Sequence, residues 1–303
     1  MKNNIFSLFG YATLGVGLLA SSNAALAAGF DLANYQHIHT YALPAVAAAE
    51  ASAVTWNWNT DILCVGGDEG DALVEVNKQG VELSKMTLTG FADTEGITYI
   101  GNGKFVITEE RLQDAYLLTY AANGSASRAS LSSLSLGNTV GNIGIEGISY
   151  DRLTGNYVAV KEASPQAVYD VALNFASNSV NVSSLFAPAL GVADLSDVQT
   201  LSNYSALVGT TDQDNLLIFS QETSRLLEVS RTGQVLSEMD FSSIASDIEG
   251  VTIDSNGTIY LVGETPSLYV LTSNVIPVPE PESYALILAG LGLLGAVARR
   301  RNQ

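Results

Sequence analysis

Glu95, Glu146 and Glu249 each precede a glycine and a short alternating apolar–polar run, in units about fifty residues apart. Ser52 and Ser196 hold the same place in two further units, so the steps along the chain are 43, 51, 50 and 53 residues. A second acid follows the next apolar segment of each unit: Asp68, Glu110 (with Glu109 before it), Glu162, Glu222 and Glu264. Carboxylates brought together in this way repel, so their pKa values rise, or they bind cations, or water screens them. A donor set of oxygen alone suits calcium or magnesium rather than zinc. Glu95, Glu146, Glu249, Glu110, Glu162, Glu222 and Glu264 are therefore the expected ligands of a divalent cation, calcium first. Glu50, Asp68, Asp93, Asp197 and Asp247 are expected as further binding residues around them. A structural reading stands beside this one. The same glutamates would hydrogen-bond backbone N–H groups of the next unit, and each Glu-Gly would be a packing device, since glycine lets chains approach closely.

Other chemistry finds little support in the residue types. There is no Gly-x-Ser-x-Gly elbow, and the two histidines, His37 and His39, lie close together near the start of the chain. A His-x-His pair on a strand puts both rings on one face, but no further histidine or spare cysteine completes a zinc site. The single cysteine, Cys64, sits in an apolar run and reads as a small buried hydrophobe in a strand. Paired carboxylates can serve glycoside hydrolysis or metal-assisted phosphate chemistry, so a metal-dependent ester or phosphoester hydrolase remains the enzymatic alternative. Arg111 and Lys161 directly follow or precede Glu110 and Glu162, and salt bridging in place is their simplest role.

The elements that must carry these acids are strands. In the unit from Asp247, an alternating run reaches Ile253, Asp254-Ser-Asn-Gly257 forms a hairpin turn, and two more apolar runs follow. The units from Glu95 and Glu146 repeat the plan. Fourth, outer strands are predicted over residues 81–88, 179–186 and 234–241. A fifty-residue period in a strand-rich chain is the mark of an all-β propeller of four-stranded blades. The count favours five blades, with six as the alternative because the segment from Ser196 to Glu222 is long enough to hide extra strands. The last unit lacks room for its fourth strand, and the segment from Leu32 to Tyr41 is expected to supply it and close the ring, removing free sheet edges. Equivalent residues of a propeller converge on one axis, so both sets of acids should meet at one end of the channel.

The two ends of the chain differ from its body. Lys2, an apolar run and Ala25-Leu-Ala27 read as a secretory signal peptide over residues 1–27. Residues 28–275 are then the propeller. Residues 276–303 contain Pro279-Glu-Pro281, a fifteen-residue apolar stretch from Tyr284 and a terminal Arg299-Arg-Arg301. This tail resembles a PEP-CTERM sorting signal, which implies a short transmembrane helix that holds the exported protein in the inner membrane until an exosortase-type enzyme cuts it. Without both ends the body holds 9 basic and 29 acidic residues, a net charge near −20. Such a surface repels phosphate backbones and excludes nucleic-acid binding, while attracting cations and basic partners.

Glu50-Ala-Ser-Ala-Val-Thr-Trp56, Phe91-Ala-Asp-Thr-Glu-Gly-Ile-Thr-Tyr99, Val106-Ile-Thr-Glu-Glu-Arg111, Ile145-Glu-Gly-Ile-Ser-Tyr-Asp151, Leu195-Ser-Asp197 and Ile248-Glu-Gly-Val-Thr-Ile253 together resemble the SdiA-regulated, YjiK-like propeller family. The resemblance implies an exported or membrane-associated propeller, with a link to calcium in some members and no settled reaction. The fourth unit departs from the pattern, with Ser196-Asp197 in place of Glu-Gly. The family also resembles phytase-like propellers, which keeps the hydrolase alternative open. The expected function is thus an exported, monomeric, calcium-binding propeller at the cell surface or in the matrix, whose partner is a polysaccharide or an envelope protein.

Overall fold

The computed structural model describes residues 29–68, 71–139 and 141–275. The signal peptide and sorting tail read from the sequence lie outside them. The chain enters through β1 (Tyr35–Ala42) and lays down blade 1 as β2 (Ala51–Asn57), β3 (Ile62–Gly67), β4 (Ala72–Val76) and β5 (Glu82–Thr89). Blade 2 holds β6 (Thr94–Gly101), β7 (Lys104–Glu109), β8 (Asp114–Thr119) and β10 (Ser132–Ser135), and a short β9 (Ser125–Ser127) lies between the last two in the chain. Blade 3 is β11 (Ile145–Tyr150), β12 (Tyr157–Lys161), β13 (Ala167–Asn174) and β14 (Ser179–Phe186). Blade 4 is β15 (Asp197–Thr200), β16 (Leu216–Ser220), β17 (Arg225–Val229) and β18 (Val235–Asp240). Blade 5 is β19 (Ile248–Ile253), β20 (Ile259–Gly263) and β21 (Ser267–Ser273), and β1 pairs antiparallel with β21 as its outer strand.

The protein is therefore a five-bladed propeller closed by its N-terminal strand, as the repeat predicts. No sixth blade forms among the described residues. The long segment of unit four coils into three short 3-10 turns, Leu201–Asn203, Ser205–Leu207 and Thr211–Asp214, and returns to the same sheet. One feature escapes the repeat: β9 leaves blade 2 and adds to the edge of blade 1, parallel to β5. Arg128 follows it and grips the buried Glu109 with two 2.7 Å contacts, so the strap is fixed across the blade 1–2 seam.

Both faces of each inner strand pack against a neighbouring blade, so these strands read as nearly continuous apolar runs. Five apolar clusters result, one at each seam: Leu63 and Val262 meet between blades 1 and 5, Phe105 and Leu73 between 1 and 2, Ile148 and Val106 between 2 and 3, Val160 and Leu216 between 3 and 4, Phe219 and Ile248 between 4 and 5. Cys64 is fully buried in the second of these. The inner strands β2, β6, β11, β15 and β19 touch in a ring.

A belt of hydroxyls ties that ring together. Thr55 Oγ1 accepts from Tyr99 N (3.1 Å), Thr98 Oγ1 from Tyr150 N (2.8 Å), Ser149 Oγ from Thr200 N (3.0 Å) and Thr252 Oγ1 from Trp56 N (3.2 Å). At the remaining seam Thr252 Oγ1 donates to Gln199 Oε1 (2.9 Å). The glycines of the Glu-Gly pairs serve the same close approach. A Cβ on Gly147 would lie 2.6 Å from the Asp197 Cα of the next blade, and one on Gly250 2.8 Å from Ser52 O.

The histidine pair does not share a face. A bulge at Ile38 aligns His37 with Leu271 and His39 with Val270, neighbours whose side chains point to opposite sides of the sheet. His37 packs toward Tyr269 and His39 toward Tyr41, which removes the His-x-His metal reading.

Candidate functional site

Four of the five inner strands begin with a β-bulge. The register slips between Ala51 and Ala53, Thr94 and Gly96, Ile145 and Gly147, and Ile248 and Gly250. The extra residue is Ser52, Glu95, Glu146 or Glu249, the recurrent position itself. A bulge bends the strand and re-aims one side chain, and here Glu95, Glu146 and Glu249 all reach one cavity of about 280 Å³ at the channel mouth. The turns after the second strands of the blades supply Asp68, Glu110, Glu162 and Glu264 to the same cavity, and Glu50 and Asp93 line it from the approaches to β2 and β6. Nine of the twelve acids expected from the sequence thus meet in one place.

Three do not line it. Asp197 occupies the glycine position of unit four, in a strand that has no bulge. Alternation therefore turns it toward blade 5, where its Oδ2 accepts from Val251 N (2.7 Å). Glu222 is exposed, and its place at the cavity is taken by Gln221. Asp247 accepts from Thr265 N (2.9 Å) and braces the turn that carries Glu264. Asp194, which the sequence reading left out of the site, does line the cavity. Its carboxylate accepts from Gln221 N (3.0 Å), Glu222 N (3.1 Å) and the Ser220 hydroxyl. The signal for it was present: Asp93, Asp194 and Asp247 fall at like places in their units.

Two groups of three carboxylates are close enough for one ion each. In Asp68, Asp93 and Glu95, and again in Glu110, Glu146 and Glu162, one oxygen from each residue lies within 4.8 Å of the others. Burial is the main cause that pushes Glu95 up to about 8, with Asp68 and Asp93 adding to it. Burial, then Glu95 and Glu110, pushes Glu146 up furthest. Burial followed by Glu95 and Glu264 raises Glu249 to about 9, and burial followed by Glu110 raises Asp93 to about 6. Glu162 rises as well, through burial and then Asp194 and Glu222, and its Oε2 is a buried oxygen with no hydrogen-bond partner among the described residues.

Arg111 is the one basic side chain among the described lining residues. It does not pair with Glu110, as its sequence position suggests. Its Nε lies 2.9 Å from Asp93 Oδ2, an ion pair not aligned as a hydrogen bond, and its guanidinium also reaches Asn142 Oδ1 (3.2 Å). Lys161 likewise turns from Glu162 and donates to the Ala163 and Pro165 carbonyls. Part of the structural reading also holds. Glu110 Oε1 accepts from Gly144 N (2.6 Å) in the approach to blade 3, so this acid both joins blades and faces the cavity.

The architecture and the repeated Glu-Gly motif agree with a single family model, SdiA-regulated, which matches residues 29–272. The chain belongs to the SdiA-regulated family. Residues 277–301 of this SdiA-regulated propeller match the PEP-CTERM protein-sorting motif, which marks it for export and membrane-associated sorting by an exosortase-type enzyme. No helix among the described residues is long and apolar enough to cross a membrane. Solved structures of similar fold include a virginiamycin B lyase from Staphylococcus aureus, 12% identical with a TM-score of 0.42 over 73% of this chain. The alignment spans 66% of that lyase's own length. A luciferin-regenerating enzyme is 10% identical with a TM-score of 0.50, covering 80% of this chain and 97% of its own. The WD40 propeller domain of Doa1 is 12% identical with a TM-score of 0.46, over 78% and 96% of the two chains. At these identities the likeness is one of fold.

Proposed function

We propose that this exported SdiA-regulated propeller binds a divalent cation, calcium, in the acidic mouth of its channel and presents it to an anionic polysaccharide or a protein of the envelope or matrix. The observation that carries the reading is the pair of carboxylate triads, Asp68–Asp93–Glu95 and Glu110–Glu146–Glu162, each compact enough to surround one ion. The donors are all oxygen, which fits a hard cation, and calcium's flexible shell of six to eight ligands tolerates such a mixed set better than magnesium's rigid octahedron. Like charges packed this closely lose the repulsion when an ion sits between them. The ion would supply positive charge and open coordination positions. The chain's own residues aim the ligands through the bulges and exclude bulk water by burial.

Calorimetric titration of the purified body with calcium, paired with thermal melts, tests the reading. Binding heat and a rise in melting temperature with calcium, and weaker effects with magnesium, are expected. No heat and no shift with either ion would remove the cation claim.

A further inference from the structure

The five outer strands of a propeller are its free edges, and four of the five here are protected. β5 is covered by β9. β10 has only four residues. β18 carries Glu238 and Asp240, and the N-terminal segment docks against it through Leu32 N to Ser237 Oγ (2.9 Å). β1 is broken by its bulge at Ile38. Short length, charge, bulges and covering segments are the usual devices that keep sheet edges from pairing.

β14 has almost none of them. It is eight residues long, Ser-Val-Asn-Val-Ser-Ser-Leu-Phe, with no charge, proline or glycine. Its pairing with β13 runs without interruption from Ser179 to Ser184, with a bulge only at Leu185. It ends its sheet, and no other strand pairs with it among the described residues. The neutrality extends beyond the strand. The chain carries no charged residue between Asp170 and Asp194, nor between Arg128 and Glu146, and β10 of the second stretch lies beside β14. In a body of net charge near −20 this is a neutral sector of the rim.

We propose that the edge of β14 pairs antiparallel with β14 of a second copy of this chain, joining two propellers rim to rim across a two-fold axis. Antiparallel pairing of a strand with itself is self-complementary, as a two-fold interface requires. The neutral sector is where two such acidic bodies meet with the fewest carboxylates opposed, which selects a second copy meeting at this edge over any other face. This departs from the single-chain expectation drawn from the sequence. A six-residue edge buries less than the roughly 1,200 Å² of stable complexes, so the association is weak in isolation. Because the bodies repel, it strengthens as salt screens them. On a surface or in a matrix, where copies are concentrated, a weak edge contact is enough to link them.

Sedimentation velocity of residues 29–275, a span that contains every strand of the closed ring, tests this across protein concentration and at low and high sodium chloride. The expected result is a monomer–dimer equilibrium that shifts toward dimer with salt. The double variant Asn181→Lys/Ser183→Lys, with both changes at exposed positions, should weaken association by at least about tenfold, since like charges then oppose across the pair, while the melting temperature stays unchanged. A protein monomeric at every concentration and salt, or a dimer untouched by the two lysines, would each overturn the proposal.

Discussion

Cation binding to this channel mouth must expel protons. With no ion present, Glu95 is pushed up to about 8, so between pH 6 and pH 7.5 its carboxyl is largely protonated. An ion that takes Glu95 as an anionic ligand therefore displaces about one proton in that range. Linkage then makes the affinity rise about tenfold per pH unit per displaced proton well below that value, or about fiftyfold from pH 6 to pH 8. Glu146, held protonated further up the scale, supplies the displaced proton for an ion in the Glu110–Glu146–Glu162 group, so there the rise continues above pH 8. Calcium titrations at three pH values, each in two buffers of different ionisation enthalpy, give both the affinity and the protons released. An affinity independent of pH, with the same heat in both buffers, would mean that Glu95 and Glu146 are already ionised or are not ligands.

Two further outcomes follow from the same geometry. The folded, cation-free body holds protons on Glu95 and Glu249 that the unfolded chain, with carboxyls near 4.5, releases; its melting temperature should be highest near pH 5 and fall as pH rises toward 9, and Glu95→Gln, which mimics the protonated acid, should flatten that fall in a melt series without calcium, whereas a structural hydrogen-bonding role for Glu95 predicts a loss of stability at every pH. Arg128→Ala leaves Glu109 buried at 1% exposure without its bidentate partner, so chemical denaturation should show a loss of about 3 kcal/mol, and Arg128→Ala/Glu109→Gln should recover part of it; equal stability of Arg128→Ala and the natural protein would show that the strap is not held there.

The ring, its closure by the N-terminal strand and most of the acidic mouth were legible because one position, Ser52, Glu95, Glu146, Ser196 or Glu249, recurs once per blade. What was hidden was local register. A bulge inserts a residue without leaving a compositional mark, so the sequence did not reveal that Glu95, Glu146 and Glu249 are the bulged residues, nor that Ile38 turns His37 and His39 apart. Asp197 failed as a site residue for the converse reason: without a bulge, simple alternation sends it to the blade 4–5 seam. Gln221 and Glu222 show the limit of reading by type, since the neutral neighbour holds the place at the cavity and the acid points to solvent. The β9 strap was out of reach because nothing in Ser125–Ser127 specifies which edge it joins; the buried pairing of Arg128 with Glu109 does that, at a separation of 19 residues.

The irregularity of the fourth unit decides where in the ring an ion would sit. Ser196 replaces the inner glutamate, and Gln221 stands where other blades place an acid. The Gln221 amide donates to Glu249 Oε1 (2.8 Å) and reaches Glu264 Oε1 (3.4 Å), so part of blade 5's charge is met by a neutral donor. Both compact triads are built from blades 1 to 3, where the lining amide, Asn142, accepts from Arg111 (3.2 Å). A ring with five equal carboxylates would favour a single ion on the axis. Serine at the inner position of blades 1 and 4, with Gln221 in place of the second acid in blade 4 alone, breaks that symmetry, and the two compact triads lie at the seams between blades 1, 2 and 3. Arg111 stands at the same side, paired with Asp93. An anionic group approaching an ion held there would also meet the Arg111 guanidinium, which lines the same cavity.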